Sequence, residues 1–430
     1  MKIIRFPERS TWAELVSRPA MELDMLESHV SRMIRRVAVE GDKAVRSFTK
    51  EYDGVEPDSL EVSQEEIQAA ANRVPGSLKK AIDQAARNID AFHRTQLQTS
   101  DPTETAEGVR CWQKPVPIQR VGLYIPGGTA PLLSTVLMLG VPARIAGCPE
   151  VILCTPPDGE GKVHPAILYI AGLLGMNRVF RVGGVQAIAA MACGTETIPA
   201  VDKIFGPGNQ YVTMAKQLVS RDRVAIDMPA GPSELAVMAD DTSDPSFVAS
   251  DLLSQAEHGP DSQVLLVADS EQLIAAVQKE IGRQLEQLPR KETARLALEN
   301  SRAILLKDRS EMIELVNLYA PEHLIITTRN YEEMGEQIVH AGSVFLGSHT
   351  PESAGDYASG TNHTLPTGGW ARSFSGVNMD SYFRKITFQE ITPEGLSNLG
   401  ETIMTLAEAE GLEAHRQAVA IRIKAGGHGG

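Results

Sequence analysis

The chain has 430 residues, more than one hydrophobic core usually organises, so we expect two or three folding units. Its net charge of −14 argues against a protein that holds polyanions such as nucleic acid. The longest apolar run, residues 166–176, is too short for a membrane span, which needs roughly 18 residues. The first residues lack the apolar region of a signal peptide, and the four cysteines show neither a metal spacing nor a disulfide framework. We therefore expect a soluble, cytoplasmic protein without a membrane partner.

The first part of the chain is predicted to be helical and then to alternate between strands and helices. An N-terminal extension, residues 1–21, precedes a stretch at 22–100 in which apolar residues recur at helical spacing. The strands predicted after it are residues 121–125, 151–155, 178–182 and 201–205. The helices predicted among them are residues 131–145, 164–175, 185–193 and 210–219. This alternation predicts an α/β fold with a mostly parallel sheet that is covered on both faces.

A second α/β segment follows the first. Its predicted strands are residues 263–267, 303–306, 324–327 and 343–346, and the helices between them begin near residues 270, 309 and 331. After residue 347 the chain is rich in glycine and is predicted to form a long loop, which in a compact protein is usually functional. A final helix is predicted over residues 392–424, and the terminal GGHGG has no reason to be ordered.

The segment that ends in QAEH predicts a helix with a polar stripe. Asp244 is its predicted N-cap, and Asp251, Ser254, Gln255 and His258 share one face. The spacing leaves two interpretations open. One is a solvated face whose histidine is favoured at a helix C-terminus. The other is that Gln255 and His258, one turn apart, offer an oxygen and a nitrogen to one metal ion.

Glu322 and His323 place a carboxylate beside an imidazole at a predicted helix–strand junction. Histidine titrates near neutral pH and suits proton removal from an alcohol, while a neighbouring carboxylate orients water or relays protons. The pair is equally consistent with a helix cap and a surface ion pair. The residues alone leave both interpretations open.

Three further polar residues stand out in the C-terminal part of the chain. Asp356 and His363 lie in the glycine-rich stretch, where an aspartate serves either as a metal ligand or as a turn former. His415 follows Glu410 in the final predicted helix, and in isolation it is interpreted as an ordinary surface histidine.

Glycine turns at residues 126–129, 183–184 and 206–209 each follow a predicted strand and precede a predicted helix. They are therefore expected at the carboxyl edge of one sheet, where open α/β folds bind ligands. A further turn at residues 229–233 does not directly follow a predicted strand. The dinucleotide fingerprint G-x-G-x-x-G is absent from the sequence. The residues alone thus predict an α/β enzyme and leave a nucleotide or phosphate ligand undecided.

Six motifs in consistent order make the sequence resemble the histidinol dehydrogenase family. They are residues 124–132 (YIPGGTAPL), 206–209 (GPGN), 227–234 (DMPAGPSE), 255–258 (QAEH), 320–324 (APEHL) and 355–357 (GDY). This family oxidises L-histidinol to L-histidine in two successive NAD-dependent steps, the last reactions of histidine biosynthesis. The resemblance runs from near the N-terminus to about residue 424 and implies an NAD-dependent dehydrogenase with one zinc ion per subunit.

The resemblance also implies a role for each matching residue. The implied zinc ligands are Gln255, His258, Asp356 and His415. The implied acid–base pair is Glu322 and His323. The implied substrate contacts are Ser233, Gln255, His258, His323, Asp356, Glu410 and His415, with His363 as a weaker candidate beside the metal. The implied NAD contacts are Tyr124, Gln186 and Asn209, which bind the cofactor without the glycine fingerprint.

The fold that the resemblance implies consists of two incomplete, parallel-sheet Rossmann-like domains with helical N- and C-terminal extensions. We place residues 22–123 and 235–376 in the first α/β domain, which carries most metal and catalytic residues. Residues 124–234 form the second, which contacts NAD, and residues 377–430 form the C-terminal helical extension. The family is a domain-swapped homodimer, so this extension is expected to reach the partner and complete its site with His415 and Glu410.

In the implied chemistry, substrate nitrogens fill open zinc positions, His323 takes the hydroxyl proton, and Glu322 activates water for the second oxidation. One alternative is a related zinc and NAD dehydrogenase for another diol, such as a sulfonated propanediol; Glu410 disfavours it because a carboxylate suits a cationic amine better. An alternative of another class is a zinc hydrolase with Glu322 as general base and no NAD. A non-catalytic binding protein is disfavoured because it would need neither the acid–base pair nor the metal set.

Overall fold

The computed structural model describes residues 1–18, 23–98, 101–127, 131–229 and 231–426. Its strands are β1 (Lys2–Arg5), β2 (Thr103–Ala106), β3 (Val109–Pro117), β4 (Arg120–Tyr124), β5 (Glu150–Thr155), β6 (Arg178–Arg181), β7 (Lys203–Phe205), β8 (Ala225–Ile226), β9 (Glu234–Ala239), β10 (Gln263–Ala268), β11 (Arg302–Leu305), β12 (His323–Ile326), β13 (Ser343–Leu346) and β14 (Phe383–Ile391). Its α-helices are α1 (Trp12–Leu15), α2 (Leu23–Glu40), α3 (Asp42–Tyr52), α4 (Gln64–Ala70), α5 (Gly76–Arg94), α6 (Leu133–Ala146), α7 (Pro165–Leu173), α8 (Gly184–Cys193), α9 (Gln210–Val219), α10 (Pro245–Ala256), α11 (Glu271–Leu285), α12 (Lys291–Glu299), α13 (Arg309–Tyr319), α14 (Tyr331–Gly335), α15 (Glu352–Tyr357), α16 (Pro393–Ala409) and α17 (Glu413–Gly426).

The chain divides into two compact units. The first unit comprises Met1–Thr95 and Ile118–Tyr382, and the second comprises Gln96–Pro117 and Phe383–Gly430. These borders differ from the predicted ones, because residues 96–117 group with the C-terminal segment. Among the helices of the described residues, none is both long enough and apolar enough to cross a membrane.

A five-stranded parallel sheet in the first unit has the order β6-β5-β4-β7-β8. Its inner strands are apolar and buried, as expected for a parallel sheet covered on both faces. Helices α2 and α3 pack on α8, while α4 packs on α7 and α5 packs on α6. The sequence prediction groups residues 22–123 with residues 235–376, whereas these contacts place α2 to α5 against helices of the five-stranded sheet. Amphipathic helices carry no signal for which sheet they cover.

A six-stranded parallel sheet in the same unit has the order β1-β11-β10-β9-β12-β13. Every residue of β9 and β10 is buried, because helices cover both faces of the sheet. Strand β1 pairs with β11 at the edge. Residues 2–5, which we predicted as part of an extension, therefore belong to this sheet, and β9 is a strand that the sequence reading missed.

The second unit contains an antiparallel sheet with the order β14-β3-β2 and the packed helices α16 and α17. We predicted one helix over residues 392–424 and an entirely helical extension. Both predictions are wrong, since β14 is a strand and the helix breaks at Gly411. Gly411 has a φ of 73°, a left-handed conformation that glycine adopts without steric cost.

The structure also locates Asp356 and the four cysteines. Asp356 lies in the short helix α15, where we predicted a loop. Cys154 is buried, whereas the other three cysteines are partly exposed. Residues 128–130 and 230, which fall in two of the predicted glycine turns, and tail residues 427–430 lie outside the described residues.

Candidate active site

His323 is the first residue of β12 and lies at the amino edge of the six-stranded sheet. Its Nδ1 atom is 3.3 Å from the backbone oxygen of Glu234, the first residue of β9. Its Nε2 atom is 3.6 Å from Oδ1 of Asp356, and it has no hydrogen-bond partner among the residues that the structure describes. If Nδ1 carries the proton and faces the carbonyl, Nε2 keeps a free lone pair. The site thus contains a buried imidazole whose Nε2 faces a carboxylate.

Two more carboxylates lie on the other side of the His323 ring. Oε2 of Glu322 and Oε1 of Glu352 are each 3.6 Å from Nδ1. Burial opposes the charged imidazole, but the negative charges of Glu322 and Glu352 outweigh it and raise the pKa of His323 well above its usual value. Glu322 and His323 are only 7% and 4% exposed, which rules out the interpretation as a surface pair.

Glu352 is the first residue of α15 and is almost completely buried. Its Oε2 accepts a hydrogen bond from the Ser254 hydroxyl at 3.1 Å, and its Oε1 accepts one from the amide nitrogen of Gln255. Burial raises the pKa of the Glu352 carboxyl to about 8, and His323 partly offsets this rise. Glu352 therefore connects helix α10 to His323.

Asp356 lies one turn after Glu352 in α15. Burial acts to raise the pKa of its carboxyl, but the interaction with His323 and the charges of His363 and His258 lower it below the usual value. Three imidazoles therefore influence one carboxylate. His363 is half-buried, and desolvation of its ring lowers its pKa; its Nε2 is shielded from solvent and has no partner among the described residues.

Helix α10 carries Gln255, and His258 lies two residues after the end of the helix. It begins as predicted, with the Asp244 side chain accepting from the N–H of Ser246 and with proline in the first turn. Gln255 is 1% exposed, so the solvated-face interpretation is wrong for this residue, whereas His258 is exposed. The Gln255 amide oxygen accepts from the backbone N–H of Glu234 at 2.9 Å.

The donor set suits a divalent cation. His323, Glu352 and Asp356 have ligand atoms that all lie within 4.8 Å of one another. Of the predicted ligands, Asp356 belongs to this group, Gln255 joins it through Glu352, and His258 influences Asp356 electrostatically. Imidazole nitrogens and carboxylate oxygens are the ligands that zinc accepts, and buried nitrogens without partners fit such a site.

Glu234 holds the acid–base pair in place from the adjacent strand. Its backbone N–H donates to Oε2 of Glu322 at 2.9 Å, and its carbonyl faces His323. Its buried carboxylate receives two hydrogen bonds from Arg18, at 2.9 and 2.8 Å, and one from the N–H of Gly368 at 2.8 Å. The guanidinium of Arg18 also lies 4.0 Å from the ring centre of Tyr319. Both ends of Glu234 are thus fixed.

The remaining predicted substrate contacts lie in two places. Ser233 directly precedes β9, and its carbonyl accepts from the N–H of Gln263 at 3.2 Å. Glu410 is the C-cap residue of α16, and His415 lies in the first turn of α17, both in the second unit. His415 N–H donates to the Leu412 carbonyl at 3.0 Å.

A cleft of about 1020 Å³ lies among the residues of the five-stranded sheet and its helices. Tyr124, Gln186 and Asn209, the three predicted NAD contacts, all line it. The N–H of Gly184, the first residue of α8, donates to the Tyr124 hydroxyl at 3.1 Å. Asn209 caps α9 by accepting from the N–H groups of Tyr211 and Val212. Helix N-termini of this kind favour phosphate groups.

Sequence reasoning missed Glu352, Glu234 and Arg18. Glu352 follows Pro351 in a glycine-rich stretch, and a glutamate at a helix start is normally exposed. Arg18 lies in a segment that we treated as an extension. The one available signal was Glu234 itself, a charged residue that opens an apolar run, because a buried charge requires a partner.

The fold and the site define an enzyme of the α/β class, with a buried acid–base group beside a candidate metal site and a separate cleft. The family described as histidinol dehydrogenase matches residues 16–423. Histidinol dehydrogenases of Bacteroides thetaiotaomicron and Xylella fastidiosa are 59% and 51% identical to the chain. Each match spans 98% of this chain and 99% of the relative. The crystal structure of histidinol dehydrogenase from Elizabethkingia anophelis is 51% identical, has a TM-score of 0.96, and covers 99% of this chain, which covers 98% of it. The chain therefore belongs to the histidinol dehydrogenase family, which is a family of oxidoreductases.

Proposed function

We propose that the chain oxidises L-histidinol to L-histidine through L-histidinal, as a zinc-dependent enzyme that uses two NAD molecules. The observation that carries this proposal is the buried His323 imidazole, whose Nε2 has no partner in the described part of the chain and faces Asp356 at 3.6 Å. An alcohol oxidation needs a base of this kind beside a group that orients the hydroxyl.

Gln255, His258 and Asp356 of one chain, with His415 of the partner chain, would hold the zinc ion. When bound, zinc supplies Lewis-acid positions for substrate nitrogen and oxygen atoms, and its charge offsets the field of the surrounding carboxylates. The residues fit this role because the buried Gln255 side chain is oriented by two hydrogen bonds: its amide nitrogen donates to Glu352 and its amide oxygen accepts from the Glu234 N–H. Ser233 and Glu410 would hold the substrate, with the Glu410 carboxylate facing the substrate ammonium group.

His323 removes the hydroxyl proton of histidinol in the first oxidation. When bound, NAD would supply the hydride acceptor for both oxidations. Loss of the hydroxyl proton to Nε2, together with loss of the hydride, converts the alcohol to the aldehyde. The carbonyl of Glu234 fixes Nδ1, so the ring presents the same nitrogen throughout.

Glu322 acts in the second stage. The aldehyde must add water before it can lose another hydride, and Glu322 accepts the proton of that water. The protonated His323 returns its proton to the carbonyl oxygen as water adds, so that it can take a hydroxyl proton from the hydrate while the nucleotide receives the hydride; the product is the carboxylic acid. The backbone N–H of Glu234 orients the Glu322 carboxylate at 2.9 Å.

The cleft beside the five-stranded sheet is the proposed NAD site. The strand order β6-β5-β4-β7-β8 places the reversal of strand order between β4 and β7, where open α/β sheets bind nucleotides. Tyr124 ends β4, and Asn209 follows β7. The buried Oε1 of Gln186 has no partner within the described ranges, so it can accept a hydrogen bond from the cofactor.

The proposed active form is a domain-swapped homodimer of chains with two Rossmann-like domains. In this dimer, the second unit of the partner chain completes each active site. The second unit exposes several large apolar side chains: Ile386, Phe388, Ile391, Leu406, Leu412 and Ile421. Apolar exposure of this extent is typical of a surface that another chain covers.

The stoichiometry of the reaction tests this function. The zinc-loaded enzyme should form two NADH for each histidinol consumed, with histidine as the product. One NADH with an aldehyde product would mean a simple alcohol dehydrogenase, and NADH formed only from a sulfonated propanediol would mean the related diol enzyme. Absence of NADH with all of these substrates would overturn the proposal.

A further inference from the structure

Asp53 is a buried acceptor in the cleft that the catalytic proposal does not use. It caps the C-terminus of α3, and it lines the cleft together with Tyr124 and Gln186. Its Oδ2 atom is shielded from solvent and has no hydrogen-bond partner among the described residues. A desolvated carboxylate oxygen without a donor is costly, so the native enzyme is expected to supply one from a ligand.

The cleft is lined both by groups that favour anions and by groups that repel them. Helices α8 and α9 begin at it, so their N–H groups favour anionic phosphate. Helix α3 ends at Asp53, where the unpaired carbonyls and the carboxylate both repel anions. Burial raises the pKa of the Asp53 carboxyl to about 6, so it is mainly ionised at neutral pH.

Asp53 lies near the phosphate-favouring side of the cleft. After burial, its charge contributes to raising the pKa of Tyr124, the phenol that accepts a hydrogen bond from the first N–H of α8. A dinucleotide whose pyrophosphate lay at α8 would place a neighbouring ribose in the part of the cleft that Asp53 lines with Tyr124 and Gly184. Ribose hydroxyls are donors that a carboxylate can accept from, whereas phosphate oxygens are not.

We propose that Asp53 selects the cofactor: its carboxylate accepts a hydrogen bond from a ribose hydroxyl of NAD and excludes the 2′-phosphate of NADP. This inference rests on the proposed function, since it takes the cleft to be the NAD site. Lys162, the lysine that lines the same cleft, is paired with Glu160 at 3.1 Å and so offers a phosphate only a shared charge.

Direct binding of NAD and NADP to the zinc-loaded full chain, measured by calorimetry without substrate, tests the selection. We expect the wild-type Kd for NADP to exceed that for NAD by about 100-fold. Asp53→Asn should weaken NAD about tenfold and reduce the NADP/NAD ratio at least tenfold. Asp53→Ser, which leaves more space, should reduce the ratio further. Glu51→Gln is the matched control, because it removes the same charge from the exposed side of the same helix end.

The outcomes separate the two levels of the proposal. An unchanged NADP/NAD ratio in both Asp53 variants, each with a wild-type melting temperature, overturns the selection by Asp53. An equal reduction of the NADP/NAD ratio in Glu51→Gln also overturns it, because the effect would then come from the net charge of the region and not from Asp53. A wild-type chain that binds neither nucleotide contradicts the proposed function instead, since that result does not depend on Asp53.

Discussion

His323 lies in a polar cluster in which its two ring nitrogens face different groups. The Glu234 carbonyl fixes Nδ1, while Nε2 faces Asp356. Because the ring is buried and its pKa is raised by carboxylates, its basicity depends on the charge of the groups around it. Substitution of the ring should therefore affect catalysis more strongly than folding.

His323→Asn should lower kcat by about 10²- to 10⁴-fold, because the variant loses the general base. Its zinc content and melting temperature should stay close to those of the wild type, since His323 is not one of the proposed ligands. Steady-state kinetics and metal analysis on the same preparation provide the measurement. Full turnover with bound zinc would show that another group removes the proton.

Glu322→Gln should separate the two oxidations. The amide keeps the hydrogen bond from the Glu234 N–H but cannot take a proton from water. Oxidation of histidinal should therefore slow by about 10²-fold or more, while oxidation of histidinol to the aldehyde slows less. Rates measured with each substrate separately provide the test, and an equal loss with both substrates would contradict the proposed role.

The carboxyl group of Asp251 should make the stability of the protein depend on pH. Burial raises the pKa of its carboxyl from 3.8 to about 7, so the folded state holds its proton more tightly than the unfolded state. Its ionisation therefore lowers stability as the pH rises from about 4 to 7. Asp251→Asn should be more stable than the wild type by about 2 kcal/mol at pH 8, after allowing for its partial exposure. Denaturant unfolding at pH 8 and pH 5 checks this, and a difference that does not shrink at pH 5 would contradict it.

At the scale of elements, the turn after β7 is held by a buried ion pair. The Asp227 carboxylate accepts a hydrogen bond from the N–H of Gly206 at 2.8 Å, and Lys216 donates to the carbonyl of Gly206 at 2.7 Å. Nζ of Lys216 lies 2.5 Å from Oδ1 of Asp227. One peptide segment is thus fixed from both sides. Asn209 and the start of α9 depend on its position.

Lys216→Met should destabilise the chain by about 3–5 kcal/mol, because it leaves the buried Asp227 charge unpaired. It should also weaken NAD binding about tenfold, since the turn before α9 loosens. Denaturant unfolding and calorimetry measure the two effects. The double variant Lys216→Met/Asp227→Asn should regain part of the lost stability. A Lys216→Met variant as stable as the wild type would show that the buried ion pair does not stabilise the turn.

The sequence predicted most parallel strands because they are continuous apolar runs between glycine turns. It failed where the local pattern was ambiguous. The apolar run at β9 begins with Glu234, and Gly411 looks like a tolerated glycine within a helix. In the site, Gln255 and Glu352 could not be paired from the sequence, since 97 residues separate two ordinary surface residue types. Their burial is a tertiary property that periodicity does not encode.

At the scale of the whole molecule, the proposed site needs residues from two chains. Its base and three of its metal ligands lie in the first unit, while Glu410 and His415 lie in the second. If the partner supplies His415, a mixed dimer of two inactive variants contains one intact site. A site made within one chain has no such property.

Mixing His323→Asn with His415→Ala after dissociation should restore about one quarter of wild-type activity, because half the random dimers are mixed and each has one intact site. The assay is NADH formation after reassociation, with each variant alone as the control. Activity no higher than that of the separate variants would mean that each chain completes its own site.

Strand β1 has a consequence for how the protein is made. Residues 2–5 pair only with β11, which begins at Arg302. At roughly 5–20 residues per second, translation leaves this first strand without its partner for about 15 to 60 seconds. The five-stranded sheet, complete by Ile226, can form in that interval. We expect the nascent β1 segment to need protection from aggregation, and a chain stalled before residue 302 to expose this segment to proteases.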